Sequence, residues 1–457
     1  MRPVGLVDQG FLWLERRNQP MHVAGLQLLR PAEDDPDFIE RTVKLALDAT
    51  RAQPPFDQRL VRRGGMWFWE VDGEFDVESH FHHLALPKPG RIRELLALVS
   101  KLHGNLMDRT KPLWELYLIS GLEDGRVALY SKIHHALVDG VAANRMLLRQ
   151  MSESPDQRSL TPLWATERKK KDADAEGART GPFAVMAQAV AMAREQLGTL
   201  PGVAREVMRT IRARKDPDQV SAFSAPRSIL NQHISGARRF AAQSYSFKRM
   251  RAAGKALGAT VNDVTLAMCA SALRRYLTEL DALPDRPLVA MVPVSTRKDD
   301  SESGNQVAMV LTSLATNVED PGERFAAIMR SMKTAKERLA RMSQLEMMNY
   351  LGVIMAPSGI NMATGIAPTW QAFNITISNV PGPKKTMYFN GARMDGTYPV
   401  SIVLDGQALN ITLTSYGDDM EVGLVACRRA LPHMQKLLQY LEDALAELES
   451  LAQEAAA

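Results

Sequence analysis

The residues with the clearest chemical potential are His134-His135-Ala136-Leu137-Val138-Asp139-Gly140. They follow a strand-like run over 128–133 and precede a helical pattern over 141–151. Adjacent side chains on an extended segment point to opposite faces, so one histidine at most can face a given cavity. Neighbouring histidines so arranged cannot easily share one metal ion, and no metal site is expected. The pattern favours one histidine as an acid–base group and the other as its structural support. Asp139 and Gly140 suit the tight strand-to-helix crossing, the carboxylate capping the helix or pairing with a distant arginine such as Arg297. Gly-x-Ser-x-Gly elbows, Walker loops and Gly-x-Gly-x-x-Gly runs are missing, so the chemistry rests on a base without a covalent nucleophile.

Other elements must hold that loop in place. Apolar spacing predicts helices over 38–48 and 92–107, and strands over 66–71, 114–119 and 127–133. From 152 to 180 the composition shifts to Ser, Pro, Asp and Lys, as in a surface connection. Beyond Arg238, strands are expected over 240–246 and 288–294, and helices over 261–280 and 321–342. A hairpin around Gly417-Asp418-Asp419 and a closing helix over 432–452 follow. The expected architecture is α/β, with two mixed-sheet lobes, 1–158 and 221–457, joined by a basic helical linker, 159–220.

Composition bounds the class. With 457 residues, 45% apolar and 24% charged, the chain is globular with two or three domains. The two cysteines, Cys269 and Cys427, sit far apart in apolar contexts, so no disulfide framework and no zinc-knuckle spacing is expected. Asp8, Glu15, Arg16 and Arg17 interrupt the N-terminus, so no signal peptide is expected, and no run of about 18 uncharged apolar residues reads as a membrane span. A soluble or peripheral cytoplasmic protein is the expectation. The net charge is only +4, yet 167–215 holds 11 Lys and Arg against 6 Asp and Glu. That segment suits anionic lipid or a nucleotide-bearing ligand; without aromatic interleaving it does not suit nucleic acid.

The motif resembles the signature of the CoA-dependent acyltransferase superfamily. Pro112-Leu113-Trp114-Glu115, Val261-Asn262-Asp263-Val264, Met291-Val292-Pro293, Ser378-Asn379-Val380-Pro381-Gly382-Pro383, the opening 11–25 and Asp405-Gly406-Gln407-Ala408-Leu409-Asn410 narrow the resemblance. All look like bacterial wax ester synthase/diacylglycerol acyltransferases. The resemblance keeps motif order along the whole chain and is weakest over 159–220. The Asp-Phe-Gly-Trp-Gly element of the plant branch is missing. It implies transfer of a fatty acyl group from acyl-CoA, a substrate rather than a cofactor, to a long-chain alcohol or diacylglycerol. By carry-over, His135 takes the alcohol proton and returns it to the departing thiolate, help worth about 10²–10⁴-fold.

The resemblance also offers secondary sites. Asn262 is a candidate oxyanion donor or, with Asp263, part of an ordinary helix start. Asp139 is expected to be structural. Asn379, Pro381 and Gly382 form either a rigid turn lining the lobe interface or a plain Pro-Gly turn, and Trp114 reads mainly as packing. From 347 to 383 run 37 residues without Asp, Glu, Lys or Arg. There Gly352 and Ala356 would leave room beside an apolar chain, as a tunnel wall, unless the segment is a buried helix pair. Phe183, Val185 and Met186, with Arg205, Arg209 and Arg212, would dock the linker on a membrane or lipid droplet. A catalytically silent lipid coat protein and an acyltransferase with another acceptor are the alternatives.

Overall fold

The computed structural model describes residues 1–138, 140–159, 161–166, 220, 223–295, 307–343, 345–347, 349–350, 352–356 and 371–456. The first part of the chain forms β1 (Arg2–Pro3), α1 (Leu6–Leu14), β2 (His22–Arg30), α2 (Phe38–Asp48), β3 (Gln58–Arg63), β4 (Met66–Val71), β5 (Phe81–Ala85), α3 (Ile92–His103), β6 (Trp114–Ser120), β7 (Val127–His134) and α4 (Gly140–Arg149). Later come β8 (Arg238–Ser246), α5 (Phe247–Ala256), α6 (Val261–Glu279), β9 (Val289–Ser295), β10 (Val307–Ser313), α7 (Pro321–Ala340) and β11 (Ile375–Val380). The chain closes with β12 (Tyr388–Phe389), β13 (Ala392–Val400), β14 (Leu409–Tyr416), β15 (Asp419–Cys427) and α8 (Lys436–Ala456).

These elements build the expected mixed-sheet α/β fold. One six-stranded sheet runs β12-β13-β2-β7-β6-β5, and a second runs β10-β9-β11-β14-β15-β8. A small antiparallel sheet, β1-β4-β3, lies beside α1. In the first large sheet only β5 and β6 are parallel; in the second, β11 is parallel to both β9 and β14. β7 is buried at every residue, which explains its run of β-branched and apolar side chains. Its one charge, Lys132, is paired with Glu115 at 2.8 Å. α6 starts on a capping box in which Thr260 and Asp263 bond each other's backbone N–H. It is buried on most of its circumference, so its apolar pattern is nearly continuous.

The two lobes share chain. β13 lies beyond residue 390, yet it pairs with β2 from Arg393↔Arg30 to Val400↔Ala24 and so completes the N-terminal sheet. One apolar cluster joins Leu26 and Tyr130 of the first sheet to Ile377, Ile411 and Leu424 of the second. The linker expected over 159–220 lies almost wholly outside the described residues, as does Arg297.

The sheets approach closely at Gly423 of β15, where a Cβ would lie 1.9 Å from the Pro399 carbonyl oxygen of β13. No side chain fits there without parting the sheets. Gly423→Ala is expected to lose about 1–3 kcal/mol of stability, read as a lower urea midpoint with an unchanged m-value.

Candidate active site

His134 is the last residue of β7 and His135 the first of the following turn. The alternation expected from the strand holds: His134 is fully buried, and His135 faces a cavity of about 310 Å³ between the two large sheets. The His135 N–H donates to the Met21 carbonyl at 2.8 Å, and its ring stacks on Phe11 of α1 with centroids 4.1 Å apart. Val23 and Gly25 of β2, Ser131 and Ile133 of β7, and Pro399 of β13 form one wall. Thr376 and Ser378 of β11 with Asn410, Thr412 and Thr414 of β14 form the opposite one, and Ala143 and Leu147 of α4 contribute a side.

What holds His135 begins at Glu15. This carboxylate is only 3% exposed and takes two N–H groups of Arg109 on Oε2, at 2.8 and 3.0 Å. Its Oε1 accepts the Met21 N–H at 3.0 Å. His134 Nδ1 accepts the Ala136 N–H at 3.0 Å, so its proton sits on Nε2, which lies 3.3 Å from Glu15 Oε1 but off the hydrogen-bonding line. Burial alone would push Glu15 upward. The His134 contact, the Met21 N–H and Arg109 outweigh it and hold the carboxyl at about 2. The Met21 peptide thus links both partners: its N–H binds Glu15 and its carbonyl binds the His135 N–H.

The other expected residues are placed as follows. Asp139 lies outside the described residues; Gly140 opens α4. Asn262 is half-buried in the first turn of α6, beside the Thr260–Asp263 capping box, and does not line the cavity. Trp114 is a core residue: it stacks on His80 and Trp164, and its indole donates to the Phe56 carbonyl at 2.9 Å. Of the 378–383 turn, Ser378 and Val380 face the cavity, whereas Asn379 alternates away from it and Pro381 is exposed. Gly382 is needed for packing, since a Cβ there would lie 2.0 Å from the Ser415 carbonyl oxygen.

Gly352 and Ala356 are exposed, away from the cavity, and a Cβ on Gly352 would meet no atom within 4 Å. Of the charge-free stretch, 348, 351 and 357–370 are outside the described residues; among the described ones, β11 reaches the cavity. Glu15, Phe11, Met21, Gly25 and Gln27 were not singled out by type or spacing. Their positions arise from pairings across more than 90 residues, which no local pattern carries. Among the described residues, no group of three or more His, Cys, Asp or Glu is placed to hold a metal ion.

The arrangement of two packed mixed sheets is a fold shared with condensation domains. The starter condensation domain of rhizomide synthetase has that fold at a TM-score of 0.56 and 12% identity, covering 99% of this chain and 95% of that one. The chain belongs to the wax ester synthase/diacylglycerol acyltransferase family: the family's catalytic domain matches residues 5–265 and its C-terminal domain residues 303–449. The O-acyltransferase WSD of Acinetobacter baylyi is 47% identical over 97% of this chain and 96% of its own. A putative diacylglycerol O-acyltransferase of Mycobacterium tuberculosis is 43% identical, over 97% and 98%. The structure of the wax ester synthase/diacylglycerol acyltransferase from Marinobacter aquaeolei VT8 superposes with a TM-score of 0.81 at 47% identity, over 99% of this chain and all of that one.

Glu15 gives a pH-dependent test. Because its folded pKa lies below the unfolded value near 4.5, the stability it confers is complete above that value and is lost as pH falls toward about 2. Glu15→Gln should therefore be less stable than the parent at pH 6, and the gap should close between about pH 4.5 and 2 in acid unfolding curves. A gap independent of pH would place the stabilisation elsewhere.

Proposed function

We propose that the protein is an acyl-CoA-dependent O-acyltransferase that esterifies a long-chain alcohol, diacylglycerol or both, with His135 as general base. The observation that carries this reading is the division between the histidines: His134 is buried beside Glu15 with its Nδ1 held by the Ala136 N–H, and His135 is presented to the inter-sheet cavity. An alcohol is a weak nucleophile near neutral pH, so its proton must leave as the oxygen attacks the thioester carbonyl. The imidazole takes that proton, a new C–O bond forms and the carbonyl oxygen becomes an oxyanion. Collapse re-forms the carbonyl, breaks the C–S bond and passes the proton from imidazolium to the CoA thiolate. No acyl-enzyme is formed and no cofactor is required. Asn262 is not brought to the cavity, and no oxyanion role is assigned to it.

The substrates' apolar chains are held in lipid, which goes with peripheral attachment to a membrane or lipid-droplet surface through the basic segment 167–215. No single helix among the described residues is long and apolar enough to cross a membrane. Flotation with anionic vesicles should show binding that weakens as salt rises; salt-independent binding would reject the electrostatic attachment.

His135→Ala is expected to abolish transfer from radiolabelled hexadecanoyl-CoA to both hexadecanol and diacylglycerol while the melting temperature stays native. His134→Ala should instead lower the melting temperature, because it leaves part of a buried polar network unmatched, typically about 1–3 kcal/mol. Equal kinetic losses at both positions with unchanged melting would contradict this division.

A further inference from the structure

The cavity carries a polar group that the transfer step does not use. Gln27 of β2 is 2% exposed and lines the cavity. Its Nε2 donates to Thr397 Oγ1 of β13 at 3.3 Å, and its Oε1 has no hydrogen-bond partner among the described residues. Buried amide oxygens in native proteins are nearly always bonded, so an unmatched one on a ligand cavity marks a group that the ligand satisfies. Gly25, two residues earlier on the same face, leaves the amide open: a Cβ at Gly25 would lie 2.8 Å from Gln27 Nε2.

Strand register fixes where this amide sits relative to the base. His135 is level with Met21, whose carbonyl it binds, and Gln27 pairs with Leu129 on one side and Thr397 on the other. Six residues of strand separate the two levels, about 20 Å at the usual rise. Between them the same wall shows Val23 and Ile133, then Gly25 and Pro399. On the facing wall the Thr412 and Thr414 hydroxyls already donate within the protein, to Asn410 Oδ1 at 2.7 Å and the Val380 carbonyl at 2.9 Å. Among the described residues no Lys, Arg, Asp or Glu lines the cavity, so none of them compensates a charged ligand group.

We propose that Gln27 and Thr397 form a distal polar subsite, about 20 Å along the cavity from His135, that binds a hydroxyl carried on the far part of a substrate chain. A hydroxyl suits it because it both accepts from the amide N–H and donates to the amide oxygen, while a carboxylate would be stranded without a cation. The protein then favours ω-hydroxylated fatty acyl-CoAs or α,ω-diols of matching length over their methyl-ended parents. The inference rests on the acyltransferase reading.

The test measures kcat/KM for methyl-ended and ω-hydroxyl pairs from dodecyl to octadecyl, in an acyl-CoA series with hexadecanol and an alcohol series with hexadecanoyl-CoA. In the parent protein the hydroxyl-to-methyl ratio should peak at one chain length in one of the series. Gln27→Leu should lower that peak, read as the hydroxyl-to-methyl ratio within each pair, about five- to tenfold. Thr397→Val, a milder change at the same subsite, should lower it in the same direction and serves if Gln27→Leu folds poorly. No peak in the parent, or a loss in the variants that is equal for both members of each pair, would overturn the proposal. Turnover of hexadecanoyl-CoA with hexadecanol reports on the acyltransferase reading separately.

Discussion

A carboxylate withdrawn from water has to be answered by cations and N–H groups, and removing any one of them leaves a charge that the interior cannot tolerate. Glu15 imposes that condition on this protein. It is met by Arg109 from the loop after α3, by the Met21 peptide just before β2, and by His134 at the end of β7. The segments that meet around this carboxylate are distant in sequence, and three of them carry the candidate base or its supports. The Met21 carbonyl and the Phe11 ring then fix the backbone and plane of His135. The imidazole is oriented by groups that take no part in proton transfer themselves, so its orientation does not depend on substrate being present.

The cavity has a different origin. Neither large sheet encloses space on its own; the volume lies between their faces, which also touch where Gly423 meets Pro399. β13 is central to this arrangement. It belongs to the first sheet by hydrogen bonding, presents Thr397 and Pro399 to the cavity, and seats its Pro399 carbonyl against β15. His103 adds a further tie, donating from Nε2 to the carbonyl of Ser401 immediately after the strand. Burial keeps that ring neutral, with its pKa lowered to about 3, so the tie is a plain hydrogen bond over the ordinary pH range.

Local pattern was enough for much of this. The helix expected over 38–48 is α2 to the residue, and the strand over 127–133 is β7 short of its final histidine. The opposed histidines follow from the two-residue repeat of a strand and required nothing else. The α3 helix stops at His103 rather than 107, because His103, Leu102 and Asn105 turn their carbonyls to His22 and Lys132. What could not be read were the partners. Glu15 looked like one charge interrupting the N-terminus, and Gln27 was not singled out at all; each acquires its role from a neighbour many residues away. The uncharged stretch 347–383 carries a related ambiguity, since absence of charge marks burial or contact with apolar matter but does not say which cavity is lined.

The exchange of β13 also sets an order on the life of the chain. While the protein is being synthesised, β2 has a partner on one side only, and it keeps an open row of N–H and C=O groups until residue 400 has emerged. Strands β2, β5, β6 and β7 therefore cannot finish their sheet on their own, and the N-terminal half waits with an adhesive edge for more than half the translation time. A cell making this protein quickly needs something to shield that edge, and a truncated product ending before Ala392 would carry it permanently.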